Sequence, residues 1–277
     1  MLPSSCTVGL DLRAFARLRL RDYDVALTTI VLVVVTAVLV ASSPTRQASA
    51  PLPIEREAAR ALADQAPAFA TLGDLADRLH AALANPAEPA ETRGRLALLW
   101  VRAMRATLGA IPMTTDGTKQ EPYRSWLATH DADVIYSEPA GQWLMVTENL
   151  WRLHDEHRQT ASAEPLAWEV VTNGLSGECE GYPPCYLSGL DMLHGEYLRR
   201  HPRGAHAADA VEQIRQSCEQ TVSLATGPKS HEFFTPATDC VDLVPKAEAV
   251  RAALVQSGVD AKAAIALIHQ LQALCRN

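Results

Sequence analysis

The sequence predicts an all-α protein, an irregular stack of about eight antiparallel helices arranged as helical hairpins. Three observations predict it. Past residue 70, apolar residues recur three and four positions apart in nearly every segment. Proline and glycine interrupt those segments at helix-length intervals, as at Asn85-Pro86, Gly109, Asn173-Gly174 and Gly258. Only one short stretch, 134–146, reads as a β-hairpin, with Val134, Ile135 and Tyr136 facing Trp143, Leu144 and Met145 across Pro139-Ala140-Gly141.

The first 53 residues stand outside that pattern. Val25 to Ala41 is a 17-residue run without a charge, preceded by Arg13, Arg17, Arg19 and Arg21 and followed closely only by Arg46. A run of that length is at the short end of a spanning helix. The arginine bias holds residues 1–24 in the cytoplasm and sends the remainder outward. The segment is expected to be an uncleaved signal anchor, which makes a single-pass protein of the cytoplasmic membrane with a periplasmic domain. The alternative is a removed signal peptide, cut after Ala48-Ser49-Ala50 or Val40-Ala41-Ser42, which makes a secreted protein. Residues 42–53 (SSPTRQASAPLP) form a linker. Residues 54–277 form the exported helical domain, with candidate subdomains 54–174 and 175–277.

Within that domain a helix capped at Thr71-Leu72-Gly73-Asp74 carries Leu72, Leu75, Leu79 and Leu83. Pro89 opens the next, through Leu96, Trp100, Met104 and Leu108 to Gly109, and 110–121 loses periodicity. Thr147 is expected to cap a helix with Leu150, Trp151, Leu153 and His157, and Ser162 another with Leu166, Ala167, Val170 and Val171. Tyr186, Leu190, Leu193 and Tyr197 continue at helical spacing, then Ala207, Val211, Ile214, Cys218 and Val222. Pro245–Ser257 and Asp260–Cys275 form a final pair.

The segment EYLRRHPRGAHAADAVEQI resembles the turn and second helix of tetratricopeptide-like repeats in exported bacterial proteins. Tyr197, Pro202, Gly204, Ala207 and Ala210 carry the resemblance, which covers about residues 190–216. No 34-residue period repeats it. The resemblance implies stacked helical hairpins with a concave surface for a protein or peptide partner in the cell envelope, and no catalytic residues.

Removing residues 1–41 leaves 21 basic and 29 acidic residues, a net charge of −8, with no stripe of lysine or arginine. That excludes nucleic acid as an expected partner. No phosphate-binding glycine loop, nucleophile elbow or kinase set is present, and no cofactor is expected.

Five cysteines fall in the exported part. Cys179 and Cys185 flank Glu180-Gly181-Tyr182-Pro183-Pro184, a turn tight enough for a disulfide, whereas zinc would require shorter spacing and a second pair. Closing so small a loop stabilises by roughly 2 kcal/mol. Helices over 245–257 and 261–275 are about 20 and 22 Å long, so an antiparallel pair returns Cys275 to the level of Cys240. That bond closes a longer loop, worth roughly 4 kcal/mol. Cys218 sits on an apolar stripe as a buried thiol, although Cys218–Cys240 is a rival pairing.

The alternative to a binding scaffold is an extracytoplasmic metal-dependent hydrolase. His154 and His157 lie three apart in WRLHDEHRQ, and Glu169 is a candidate third ligand, although the His-Glu-x-x-His spacing is missing. The candidate binding residues are Glu138 and Trp143 at the hairpin and Glu178, Glu180 and Tyr182 at the cysteine corner. Trp143 is either a surface anchor or part of the core.

Overall fold

Burying the predicted apolar stripes produces two adjoining cores. The structure, a computed structural model, describes residues 50–64, 67–112 and 118–276. The predicted membrane segment at 25–41 and most of the linker lie outside the described residues, among which no helix is long and apolar enough to cross a membrane. Residues Ser49–Asn277 form one compact unit. It is mostly helical with one two-stranded antiparallel sheet.

Three helices begin the unit: α1 (Pro53–Ala63), α2 (Phe69–Leu83) and α3 (Ala90–Gly109). Helix α1 was not anticipated, because its start reads as proline-rich linker. Pro53 at its first position needs no backbone donor there, and Glu55 turns back to accept from the Leu52 N–H at 2.5 Å. Helix α2 starts two residues before the expected Thr71 cap, since Phe69 packs edge-on against Tyr123 and Trp126, with centroids at 4.8 and 5.7 Å. Leu75, Ala76 and Leu79 meet Leu96, Ala97, Trp100 and Met104 to form the first core.

A short helix α4 (Tyr123–Thr129) precedes strands β1 (Val134–Ser137) and β2 (Gln142–Met145). The register pairs Val134 with Met145, Ile135 with Leu144 and Tyr136 with Trp143, as the sequence predicts. Helices α5 (Thr147–Glu156) and α6 (Ala163–Asn173) follow. Thr147 does not cap α5. It is the first helical residue, and its hydroxyl donates to Gly174 O at 3.2 Å. Asn173, ending α6, closes the hairpin's open edge: its Oδ1 accepts from Met145 N–H at 3.1 Å and its Nδ2 donates to Met145 O at 2.9 Å. Adjacent stripes of α6 divide between the cores, with Leu166 and Val170 in the first and Ala167 and Val171 in the second.

The second core begins at α7 (Pro183–Leu190), which passes through a π-helical turn (Asp191–Gly195) into α8 (Glu196–Arg200). A π turn widens the helix and leaves a carbonyl available; here Met192 O accepts from Trp151 Nε1 at 3.1 Å, tying α5 to the bulge. Periodicity alone did not reveal this insertion. At the turn into α9 (Ala207–Thr226), buried Tyr197 donates to Glu164 Oε1 at 2.5 Å and accepts from His206 N–H at 3.1 Å. Any side chain at Gly204 would come within 2.4 Å of that hydroxyl.

The one-turn helix α10 (Ser230–Phe233) leads to α11 (Pro236–Gln256) and α12 (Lys262–Ala273). Pro245 does not open the penultimate helix as expected. Helix α11 starts nine residues earlier at Pro236 and runs through Pro245. Cys240 and Cys275 are bonded with Cα atoms 5.5 Å apart, and Cys179 and Cys185 with Cα atoms 5.4 Å apart. Cys218 is free and fully buried, and burial pushes its thiol up to about 12. The rival Cys218–Cys240 bond does not form.

Candidate functional site

A cleft of about 560 Å³ opens over the first core. The end of α2 contributes His80 and Leu83, α3 contributes Arg93 and Trp100, and Asp133 enters from the turn before β1. Helix α5 supplies Asn149, Arg152, Leu153 and Glu156, and His157 follows at its cap. The wall is part apolar: Trp100, 6% exposed, stacks on His80 at 5.2 Å with 21° between the rings.

Its polar groups are poorly matched within the protein. Among the described residues, neither the Arg93 nor the Arg152 guanidinium has a hydrogen-bond or ion-pair partner, in a protein where most arginines do. Arg93 Nε and Trp100 Nε1 are buried donors without an acceptor. Such donors cost about 1–3 kcal/mol each. Two carboxylates line the cleft as well: Asp133, which accepts from Asn149 Nδ2 at 3.3 Å, and Glu156. Burial, helped by the Arg93 cation, lowers the pKa of His157, so its ring is neutral near pH 7 despite Glu156 beside it. The cleft wall therefore offers unpaired donors, with its two arginines matched in number by two carboxylates.

A second cleft of about 460 Å³ surrounds the Cys179–Cys185 corner. It gathers three predicted binding residues, Glu178, Glu180 and Tyr182, with Glu232, Asp239 and an aromatic floor from Phe233. Gly181 has φ +87°, and a Cβ there would lie 2.2 Å from the Phe233 ring, so the corner requires glycine. Tyr182 donates to Asp242 Oδ2 at 3.3 Å. Four carboxylates around one ring describe a solvated acidic rim equally well, and nothing else there points to a ligand. Trp143 is half-buried against the first core and Tyr136, beside a small pit of about 130 Å³, while Glu138 is exposed in the hairpin turn. The five predicted binding residues thus do not form one surface.

The candidate metal set of the alternative reading is not assembled. His154 Nε2 meets His201 Nε2 at 2.9 Å, with Asp155 and Arg200 at its other nitrogen. One ring donates and the other accepts, which requires the accepting ring to be neutral; burial lowers the pKa of each, and Arg200 adds to this. His157 lies beyond the end of α5 and lines the cleft instead, because the helix stops at Glu156. Glu169 is held by Arg102 at 2.6 Å and by Arg105. Among the described residues no group of three or more histidine, cysteine, aspartate or glutamate side chains is placed to hold a metal ion.

Nothing in the sequence singles out Arg93 and Arg152. An arginine's lack of a partner is a property of its neighbours in space, and neither residue sits in a motif. Compared with protein-family models, with curated proteins and with solved structures, the chain has no match.

Proposed function

We propose that this chain is an exported helical binding module, tethered by its N-terminal apolar run or released from it, whose cleft over the first core receives a segment of a protein or peptide partner. The observation that carries the reading is the cleft over the first core, where apolar wall lies beside two guanidinium groups that the protein itself leaves unpartnered. Binding sites are concave and part apolar, with a few polar groups to orient the ligand. The lining's arginines, histidines and carboxylates can orient a ligand through hydrogen bonds beside the apolar wall. Export is supported by two disulfides, which persist in oxidising compartments, and by the arginine-flanked apolar run.

Selection of a displayed peptide library on the full chain, disulfides intact and in detergent micelles, tests this. A related set of peptides should be enriched, and Leu83→Asp, a change on the cleft's half-buried rim, should weaken them about tenfold. Failure to enrich any set, or binders indifferent to Leu83→Asp, would refute the reading.

A further inference from the structure

Resting on that reading, we infer that the cleft recognises a carboxylate flanked by an apolar side chain, with Arg93 and Arg152 as its anion-binding pair and Trp100, Leu83 and Leu153 as the apolar wall. Three features of the cleft support this class of ligand. The first is charge. Two guanidiniums without partners among the described residues, Arg93 and Arg152, line the cleft beside Glu156 and beside Asp133, which accepts from Asn149. These two cations and two carboxylates balance in number, but neither guanidinium is paired with a carboxylate of the cleft, so each is open to a carboxylate from a ligand.

The second is hydrogen bonding. Guanidinium groups carry only donors, and the Trp100 indole N–H adds another without an acceptor. A carboxylate supplies about four acceptor sites and no donor, and arginine pairs with it through parallel bonds. The third is shape. About 560 Å³ is ample for a few peptide residues, and the Trp100–His80 stack with Leu83 and Leu153 gives an adjoining side chain an apolar surface.

The same features disfavour a phosphate. The lining includes no lysine, and Glu156 and Asp133 would repel a second negative charge. A carboxylate can come from a chain's C-terminus or from an acidic side chain. Both present the same group, so the probes must separate them.

The test is isothermal titration of the full chain, in micelles with its disulfides intact, against three blocked tripeptides. These are acetyl-Ala-Ala-Leu as the free acid, the same peptide as its C-terminal amide, and acetyl-Ala-Asp-Leu amide. The free acid should bind at least about tenfold more tightly than the uncharged amide, and Arg152→Gln should remove about tenfold of that advantage. Arg152 is exposed on α5, so its loss does not threaten the fold; Arg93→Gln serves as the second variant. Glu156→Gln should tighten binding about twofold to threefold by removing the competing charge. Equal binding of the Asp-containing amide also supports the inference and assigns the carboxylate to a side chain. If the uncharged amide binds as well as the free acid, the carboxylate assignment fails and peptide binding stands. If none of the three binds, both fail.

Discussion

The two cores of this domain are fastened in different ways. Around the first, ion pairs join residues far apart in the chain: Glu55 to Arg95 across 40 residues at 2.6 Å, and Glu169 to Arg102 across 67 at 2.6 Å. Asn173 adds two bonds to a strand 28 residues away. Around the second, many ion pairs stay within one helix turn, as in Arg215 with Glu212 and Glu219 and Arg251 with Glu248. Such pairs support a helix and do little to dock it. Sulfur does that work instead, through Cys240–Cys275 and Cys179–Cys185. The half that spends its charge on long-range docking is also the half that leaves Arg93 and Arg152 without partners. The proposed anion site rests on these two groups, whereas the ion pairs cited in the second half run along single helices.

If the second core depends on its crosslinks, replacing Cys240 and Cys275 by alanine should have the largest effect. A loss of about 4 kcal/mol is expected from the 35-residue separation they close. Hydrogen exchange should show amides of α11 and α12 losing protection before those of α2 and α3. Uniform loss across both cores would break the contrast.

The next effect is at the seam. His194, in the π turn between Leu190 of the second core and Leu193 of the first, has its pKa lowered to about 4 by burial. A histidine with a depressed native pKa is bound less tightly by protons in the folded state than in the unfolded state. Stability is therefore full above about pH 6.5 and is lost as pH falls toward 4, by roughly 3 kcal/mol for this group. The His154–His201 pair, also lowered, acts in the same direction. Urea titrations at pH 7 and pH 4.5 should show the decline, and His194→Leu should flatten it. An unchanged slope in that variant would remove His194 from the account.

Asn173→Ala should cost about 2 kcal/mol, since it strands both the N–H and the C=O of buried Met145. Smaller still, Glu169→Gln should cost about 1 kcal/mol, because its arginine partners are partly solvated. Arg251→Gln, the matching change in the second half, should leave the denaturation midpoint unmoved. Equal effects of these two changes would erase the distinction between docking and local ion pairs.

Much of this architecture was legible in the sequence, and the misses have physical causes. The hairpin register was readable because Pro139-Ala140-Gly141 separates two β-rich runs. The Cys240–Cys275 bond followed from the lengths of two helices, even though Pro245 gave the wrong start for the first. A proline inside a helix and a proline opening one look alike until packing decides, and burial of Leu243 and Ala247 on either side carried the helix through. The π turn was invisible because one inserted residue shifts the stripe without breaking it. In sequence His154 and His157 share one helical face, but that spacing has meaning only while the helix continues, and α5 ends between them. The cleft was hidden for a different reason. Each of its residues is unexceptional alone, and its character lies in which partners Arg93 and Arg152 lack.

Arginine side-chain NMR tests that character most directly. The Nε–Hε resonances of the full chain should be followed during titration with acetyl-Ala-Ala-Leu free acid. The account predicts saturable shifts of the Arg93 and Arg152 signals, with Arg102 and Arg251 unmoved. Shifts spread evenly over all four arginines, or none at Arg93 and Arg152, would contradict it.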